Sequence, residues 1–153
     1  KTASLIATVC EGAAVSVDRE DMAAQMRNFG ELVGLAFQIK DDIFDYGTDN
    51  DIGKPTGLDI RERKMTLPLI YTLANATKEV KKELINIVKN HNEDTQKVRR
   101  AVQLVIESGG IQYANEKMNQ LKDEALNLLL GIPDSESKRA LVGLVNYTIE
   151  REK

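Results

Sequence analysis

An all-α fold, a bundle of antiparallel helices, is what this sequence predicts, on three observations. Apolar residues recur at spacings of three and four along almost the whole chain, the period of a helix with one buried face. The periodic stretches are separated by helix-breaking clusters such as Gly109-Gly110 and Gly131-Ile132-Pro133. No stretch carries the apolar–polar alternation of a half-buried strand. With 153 residues, 42% of them apolar, the chain can form one domain over residues 1–153 with a real core. There is no internal repeat and no low-complexity tract.

The elements run in this order. Thr2 to about Val17 is small and apolar (Ala3, Leu5, Ile6, Val9, Cys10, Ala13, Ala14), which predicts a buried helix packed closely on its neighbours. Asp18 or Asp21 can cap a long helix from about Arg19 to Tyr46, whose Met22, Met26, Phe29, Val33, Ala36 and Phe37 share a face. Gly30 and Gly34 in that helix predict a close helix contact. A loop, Gly47 to Asp59, comes next. Arg61 to about Ala74 reads as a helix in which Pro68 starts a fresh segment or makes a kink. Lys78–Asn90 is amphipathic, with Val80, Leu84, Ile85, Ile87 and Val88 inward and its lysines on a solvated face. About Thr95–Ser108 repeats the pattern with Val98, Ala101, Val102, Val105 and Ile106. Ile111–Leu130 has core spacing at Ala114, Met118, Leu121, Ala125 and Leu128. Asp134 or Ser135 caps a last helix to about Arg151, with Leu141, Leu144, Val145 and Thr148 on one side.

Composition excludes several functions. A net charge of −3 and a pI near 5.3 argue against a nucleic-acid partner, which favours a basic face. No run of eighteen apolar residues is long enough for a transmembrane helix. Leu5–Val17 has neither the basic leader nor the cleavage pattern of a signal peptide. The single cysteine, Cys10, forms no internal disulfide and fits a reducing, cytoplasmic setting; on an apolar helix it reads as a small buried residue. The single histidine, His91, lies in a polar connection, so no histidine-based triad or zinc site is available. The chain opens at Lys1-Thr2 already in helical pattern and without an initiator methionine, as expected of a piece of a longer protein.

The chemistry concentrates in Phe37–Asp45. Asp41 and Asp45 are four apart, Asp42 and Asp45 three apart, and Gln38 lies one turn earlier, so all four share a helical face. Like charges at this spacing repel, by more when shielded from water, and Ile39, Ile43 and Phe44 flank them. A cation offsets that repulsion. Magnesium, which bridges one or two carboxylates to substrate phosphates and keeps several waters, suits the set better than a calcium cage does. The plain alternative is a solvated acidic turn. The adjoining segment weighs against it: Gly47, Gly53, Pro55 and Gly57 bend a loop that brings in Lys54, with Arg61, Arg63 and Lys64 just beyond. Such a loop can fold over a metal–diphosphate. Two look-alikes fail. Asp49 to Gly53 is no EF-hand, because its glycine falls one position early and there is no twelfth-position Glu. Gly47 to Lys54 is no P-loop, having one residue too many between its glycines, a Pro after the Lys and a helix before it.

These residues together resemble the C-terminal part of a trans-isoprenyl (polyprenyl) diphosphate synthase. The likeness runs over most of the chain and is most specific from Gly34 to Leu69, where Phe37-Gln38, Asp41-Asp42-x-x-Asp45, Gly53-Lys54-x-x-Gly57-x-Asp59 and Lys64 fall as in that family. Asp41–Asp45 is similar to the second of the family's two aspartate-rich motifs, and Lys1-Thr2 to its Lys-Thr contact. Val145–Arg151 resembles the last helix of longer-chain members. The first aspartate-rich motif, and most of the basic residues that hold isopentenyl diphosphate, lie upstream in the family and have no counterpart here. The resemblance therefore implies an incomplete C-terminal portion of an isoprenoid-synthase-type bundle, with half a site and no turnover by itself.

By that resemblance the intact enzyme joins isopentenyl diphosphate to an allylic diphosphate, with Mg2+ as cofactor and a homodimer as the assembly. Asp41 is implied as the most direct metal ligand, and Asp42 and Asp45 as ligands directly or through water. Lys1, Lys54 and Lys64 are implied contacts of the diphosphate. Thr2 and Gln38 are implied to place oxygens near the allylic cation. Arg61 and Arg63 read as surface charges. Two other readings remain: a non-catalytic or partner-dependent subunit of a two-component prenyl synthase, and a terpene cyclase, whose Asn/Ser/Glu metal motif is not found in this sequence.

Overall fold

Small residues decide how the first two helices meet. The computed structural model describes residues 1–47 and 56–151. Among these described residues the secondary structure is entirely helical: α1 (Thr2–Val15), α2 (Glu20–Phe44), α3 (Leu58–Arg61), α4 (Leu67–Asn75), α5 (Lys78–Asn90), α6 (Thr95–Glu107), α7 (Gly110–Leu128) and α8 (Glu136–Glu150). Two compact units divide the chain, Lys1–Lys40 with Lys117–Glu152, and Asp41–Glu116. Helices α2 and α7 contribute residues to both.

In the first unit α1 and α2 run antiparallel. A Cβ on Gly34 would lie 2.5 Å from the Ala3 Cα, and one on Gly30 would lie 2.7 Å from the Ile6 carbonyl oxygen. Further along the same pair Arg27 and Glu11 form an ion pair at 2.6 Å. The close contact expected of the two glycines is therefore present. The expectation that α1 is buried holds only in part. Ala7 and Ala14 are buried, while Leu5 and Val9 are 66% and 62% exposed. The reason is geometric: a seam formed by glycines admits alanines and turns larger side chains of the same helix away. Beside this seam, Phe29, Ala125, Leu129 and Val145 form a core, with Cys10, Met26, Val33 and Leu141 packed against it. Each such large apolar side chain contributes on the order of 2 kcal/mol by leaving water. Ser135 caps α8, accepting from the Lys138 amide, as one of the two expected caps. On α8 the buried positions are Val145 and Ile149, and the expected Leu144 is exposed.

In the second unit α5 packs on α6, α4 packs on both, and α3 packs on α6. Ile60, Leu69, Leu84, Ile87, Val98 and Val105 are among its fully enclosed side chains. Thr77 caps α5 through the Val80 amide, and Asp94 caps α6 through the amides of Gln96 and Lys97. Ile85 and Ile106, expected inward, are exposed. Each comes one residue after a buried neighbour, about 100° round the helix, and the core takes Leu84 and Val105 instead. Of the stretch expected as a helix over 61–74, the part beyond Arg61 becomes helical only at α4, the fresh segment that Pro68 was expected to start. Arg63 has φ +57, Thr66 is extended, and Pro68 lies in the first turn of α4, where its missing N–H costs nothing. Between α6 and α7, Gly109 has φ +77. A Cβ on Gly110 would meet the Pro68 carbonyl oxygen at 2.6 Å. The double-glycine break thus serves both a left-handed turn and a close approach to α4. Among the described residues no helix is long and apolar enough to cross a membrane.

Candidate functional site

The aspartates lie where α2 ends. Asp41 and Asp42 belong to its last turn, and both are half-buried. Asp45 lies just past Phe44, in a tighter turn whose amide bonds run i to i−3: Asp45 N to Asp42 O at 3.3 Å, Tyr46 N to Ile43 O at 3.0 Å and Gly47 N to Phe44 O at 3.3 Å. Such a turn has three residues per revolution, so Asp45 comes into register with Asp42 more closely than with Asp41.

Asp45 has a second set of partners that spacing along one helix does not reveal. One carboxylate oxygen accepts the Leu58 amide at 2.9 Å and the other accepts the Asp59 amide at 2.9 Å. Its main-chain oxygen accepts the Gly57 amide, also at 2.9 Å. The local sequence accounts for this. Gly57 is the N-cap of α3 and offers no side-chain acceptor, so the first amides of α3 need one from elsewhere. Gly57 must itself be glycine: its φ is +79, and a Cβ would lie 2.5 Å from Val98 Cγ1. The return of the chain is thereby fixed onto Asp45.

Lys64 belongs to the same turn. Its ammonium reaches Glu62 at 2.7 Å and Asp59 at 3.1 Å, and its amide donates to the Asp59 carbonyl. Hydrogen bonds to Glu62 and then Asp59 raise its pKa above the usual lysine value, so it stays charged. Arg61 reaches the Glu93 carbonyl and the Thr95 hydroxyl, and Arg63 reaches Asn92, so these arginines tie α3 and the turn after it to the connection between α5 and α6. In the first unit the Thr2 hydroxyl faces the Gln38 side-chain oxygen at 3.4 Å, a long contact. Lys1 is exposed at the N-terminal end of α1, its carbonyl accepting the Leu5 amide. Lys54 and the loop around it lie outside the described residues.

The sequence reading missed Tyr46 and Thr66. Both are buried, and their hydroxyls lie 2.6 Å apart. Burial, with Asp45, Asp59 and Asp42 nearby, raises the Tyr46 pKa well above the usual phenol value, against a smaller opposing effect of the bond to Thr66. The available signal was the pairing of an N-cap residue before Pro68 with a tyrosine on the core side of the aspartate turn.

The carboxylates of the turn are of the chemical type that hard divalent cations take. Among the described residues no three carboxylates, thiols or imidazoles converge as a cage. Asp41, Asp42 and Asp45 bring hard carboxylate oxygens to one turn, the donor type of which magnesium takes one or two while keeping its waters and phosphate ligands.

Comparison with known proteins gives the family. The family model described as polyprenyl synthetase matches residues 1–105, a stretch that contains every residue of the candidate site. Solanesyl diphosphate synthase 1, chloroplastic, of Arabidopsis thaliana is 35% identical over 153 residues, covering 99% of this chain and 36% of that protein. The crystal structure of geranylgeranyl pyrophosphate synthase from Bacteroides thetaiotaomicron superposes with a TM-score of 0.89 at 39% identity, over 99% of this chain and 50% of that one. That of the Corynebacterium glutamicum geranylgeranyl pyrophosphate synthase, complexed with calcium and isoprenyl diphosphate, gives 0.85 at 35% identity, over 99% and 47%. The expected isoprenoid-synthase helical fold holds, and the chain spans between 36% and 50% of the length of these relatives. This chain belongs to the polyprenyl synthetase family.

Proposed function

We propose that this chain is the C-terminal part of a magnesium-dependent trans-polyprenyl diphosphate synthase, which condenses isopentenyl diphosphate with an allylic diphosphate to lengthen the chain by five carbons. The observation that carries the reading is the family match over residues 1–105, with the Asp41-Asp42-x-x-Asp45 turn inside it. The diphosphate ligand named for the Corynebacterium relative supports the substrate class.

Magnesium, when bound, supplies positive charge to a leaving group too anionic to depart unaided. Asp41 and Asp42 hold it, Asp41 most directly. Asp45 keeps the end of their turn fixed and reaches the metal directly or through its waters, since one amide on each oxygen does not exhaust a carboxylate's acceptor sites. Lys1, Lys54 and Lys64 donate to diphosphate oxygens. Lys64 exchanges its exposed partner Glu62 for them at little cost, because a solvated ion pair is worth only tenths of a kcal/mol to about 1 kcal/mol. Thr2 and Gln38 present oxygen dipoles to the allylic carbon as positive charge develops there, and neither is a nucleophile strong enough to trap it. The departing diphosphate takes the final proton, so no protein base is needed. A cytoplasmic homodimer is the assembly this reading implies.

The test is to incubate the complete synthase with isopentenyl diphosphate, farnesyl diphosphate and magnesium, and to size the products. A ladder that ends at a defined length is expected. No incorporation by folded protein overturns the reading in favour of a partner-dependent subunit.

A further inference from the structure

Two consecutive residues tie the end of α2 to the elements C-terminal to it. Asp45 holds the Leu58 and Asp59 amides, and Tyr46 holds Thr66 through hydroxyls 2.6 Å apart. The second contact is unusual in what it gives up. Thr66 is the N-cap of α4, with the extended backbone of a cap (φ −74, ψ 157), yet its side chain makes no hydrogen bond to its own helix. A capping threonine ordinarily accepts an amide of the first turn. Here Pro68 removes one such amide, and the hydroxyl is directed at Tyr46 instead. Both side chains are 4% exposed, and the Tyr46 ring is part of the core of its unit.

The backbone needs this anchor. Helix ends fray, and the turn after α2 has two of its three amide bonds at 3.3 Å, longer than the usual 2.9–3.0 Å. Asp41 and Asp42 lie in the turn immediately before it. We propose that Tyr46, held by Thr66, is a positioning residue that fixes the last turn of α2 and thereby the Asp41–Asp42 pair in its metal-binding geometry. This rests on the reading of Asp41 and Asp42 as ligands of a magnesium–diphosphate. Tyr46 itself touches neither metal nor substrate. It acts through the helix end.

The experiment compares the complete synthase with its Tyr46→Phe and Tyr46→Phe/Thr66→Val variants. Thermal denaturation is read beside calorimetric binding of inorganic pyrophosphate at graded magnesium concentrations. Tyr46→Phe leaves a buried threonine hydroxyl without its partner, so Tm falls. The double variant regains much of it, because removing both partners is close to neutral. The magnesium concentration for half-maximal pyrophosphate binding rises roughly fivefold in both variants, the factor a single neutral hydrogen bond supplies. Unchanged magnesium dependence in Tyr46→Phe overturns the inference. So does recovery of magnesium dependence together with Tm in the double variant, which marks a merely structural role. Absence of magnesium-dependent binding in the unaltered synthase overturns the functional reading itself, and this inference with it.

Discussion

Asp45 commits both carboxylate oxygens to amides thirteen and fourteen residues further along the chain. From spacing alone it belongs with Asp41 and Asp42, because helical periodicity reports which residues share a face and is silent about a chain that turns back. The two roles are separable by chemistry, since a carboxylate on amides stabilises a fold and a carboxylate on a metal stabilises a reaction. Cys10 is the opposite case. Its reading as a buried small residue on an apolar helix was legible, and it is half-buried beside the core of the first unit. Desolvation raises its pKa, so the fold favours the neutral thiol. The folded-state value lies above the unfolded one. Its contribution to stability is therefore present below the unfolded pKa and is lost as pH rises through the folded pKa. With a disulfide reagent, Cys10 should react more slowly in native than in denatured protein, and its native rate should rise at a higher pH. Equal rates and equal pH profiles contradict the burial described for it.

At the scale of elements, α5 and α6 were legible nearly to the residue, because each carries a clean apolar stripe, and α6 is bounded by polar breaks. What was not legible was which of two adjacent apolar residues faces in. Leu84 and Ile85 lie about 100° apart, and only packing decides between them. The late start of α4 within the expected 61–74 helix has a local cause at Pro68, and the short α3 before it has a non-local one at Gly57. Gly57 lets α3 begin under Val98, and this contact explains why the turn cannot carry a side chain. Gly57→Ala imposes both a positive φ and a 2.5 Å approach to Val98 Cγ1. It should cost about 2–3 kcal/mol in chemical denaturation. Gly131→Ala, where a Cβ meets nothing within 4 Å, is the control and should change stability little. Similar losses at the two positions would contradict the role given to the α3 turn.

At the scale of the whole molecule, the matched relatives are two to three times as long as this chain, and the residues named here are one side of the proposed chemistry. The family was legible because its chemistry needs unusual residue types at fixed spacing: paired aspartates on a helix, a lysine in a glycine-rich loop and a lysine beyond it. The ties from Asp45 to the amides of α3 were not, because they join residues thirteen and fourteen apart across a turn of the chain. The central claim is that Asp41 holds the metal while Asp45 holds the turn. The most direct test is steady-state turnover of the complete synthase carrying Asp41→Ala or Asp45→Ala, at saturating magnesium and isopentenyl diphosphate. Asp41→Ala should lower kcat by roughly a hundredfold or more, the scale of a lost transition-state electrostatic contact, with little change in Tm. Asp45→Ala should lower kcat less while reducing stability by about 1–2 kcal/mol, as loss of a helix N-terminal acceptor does. A reversed order of the two kcat losses, or an Asp41→Ala enzyme with undiminished turnover, would contradict the account.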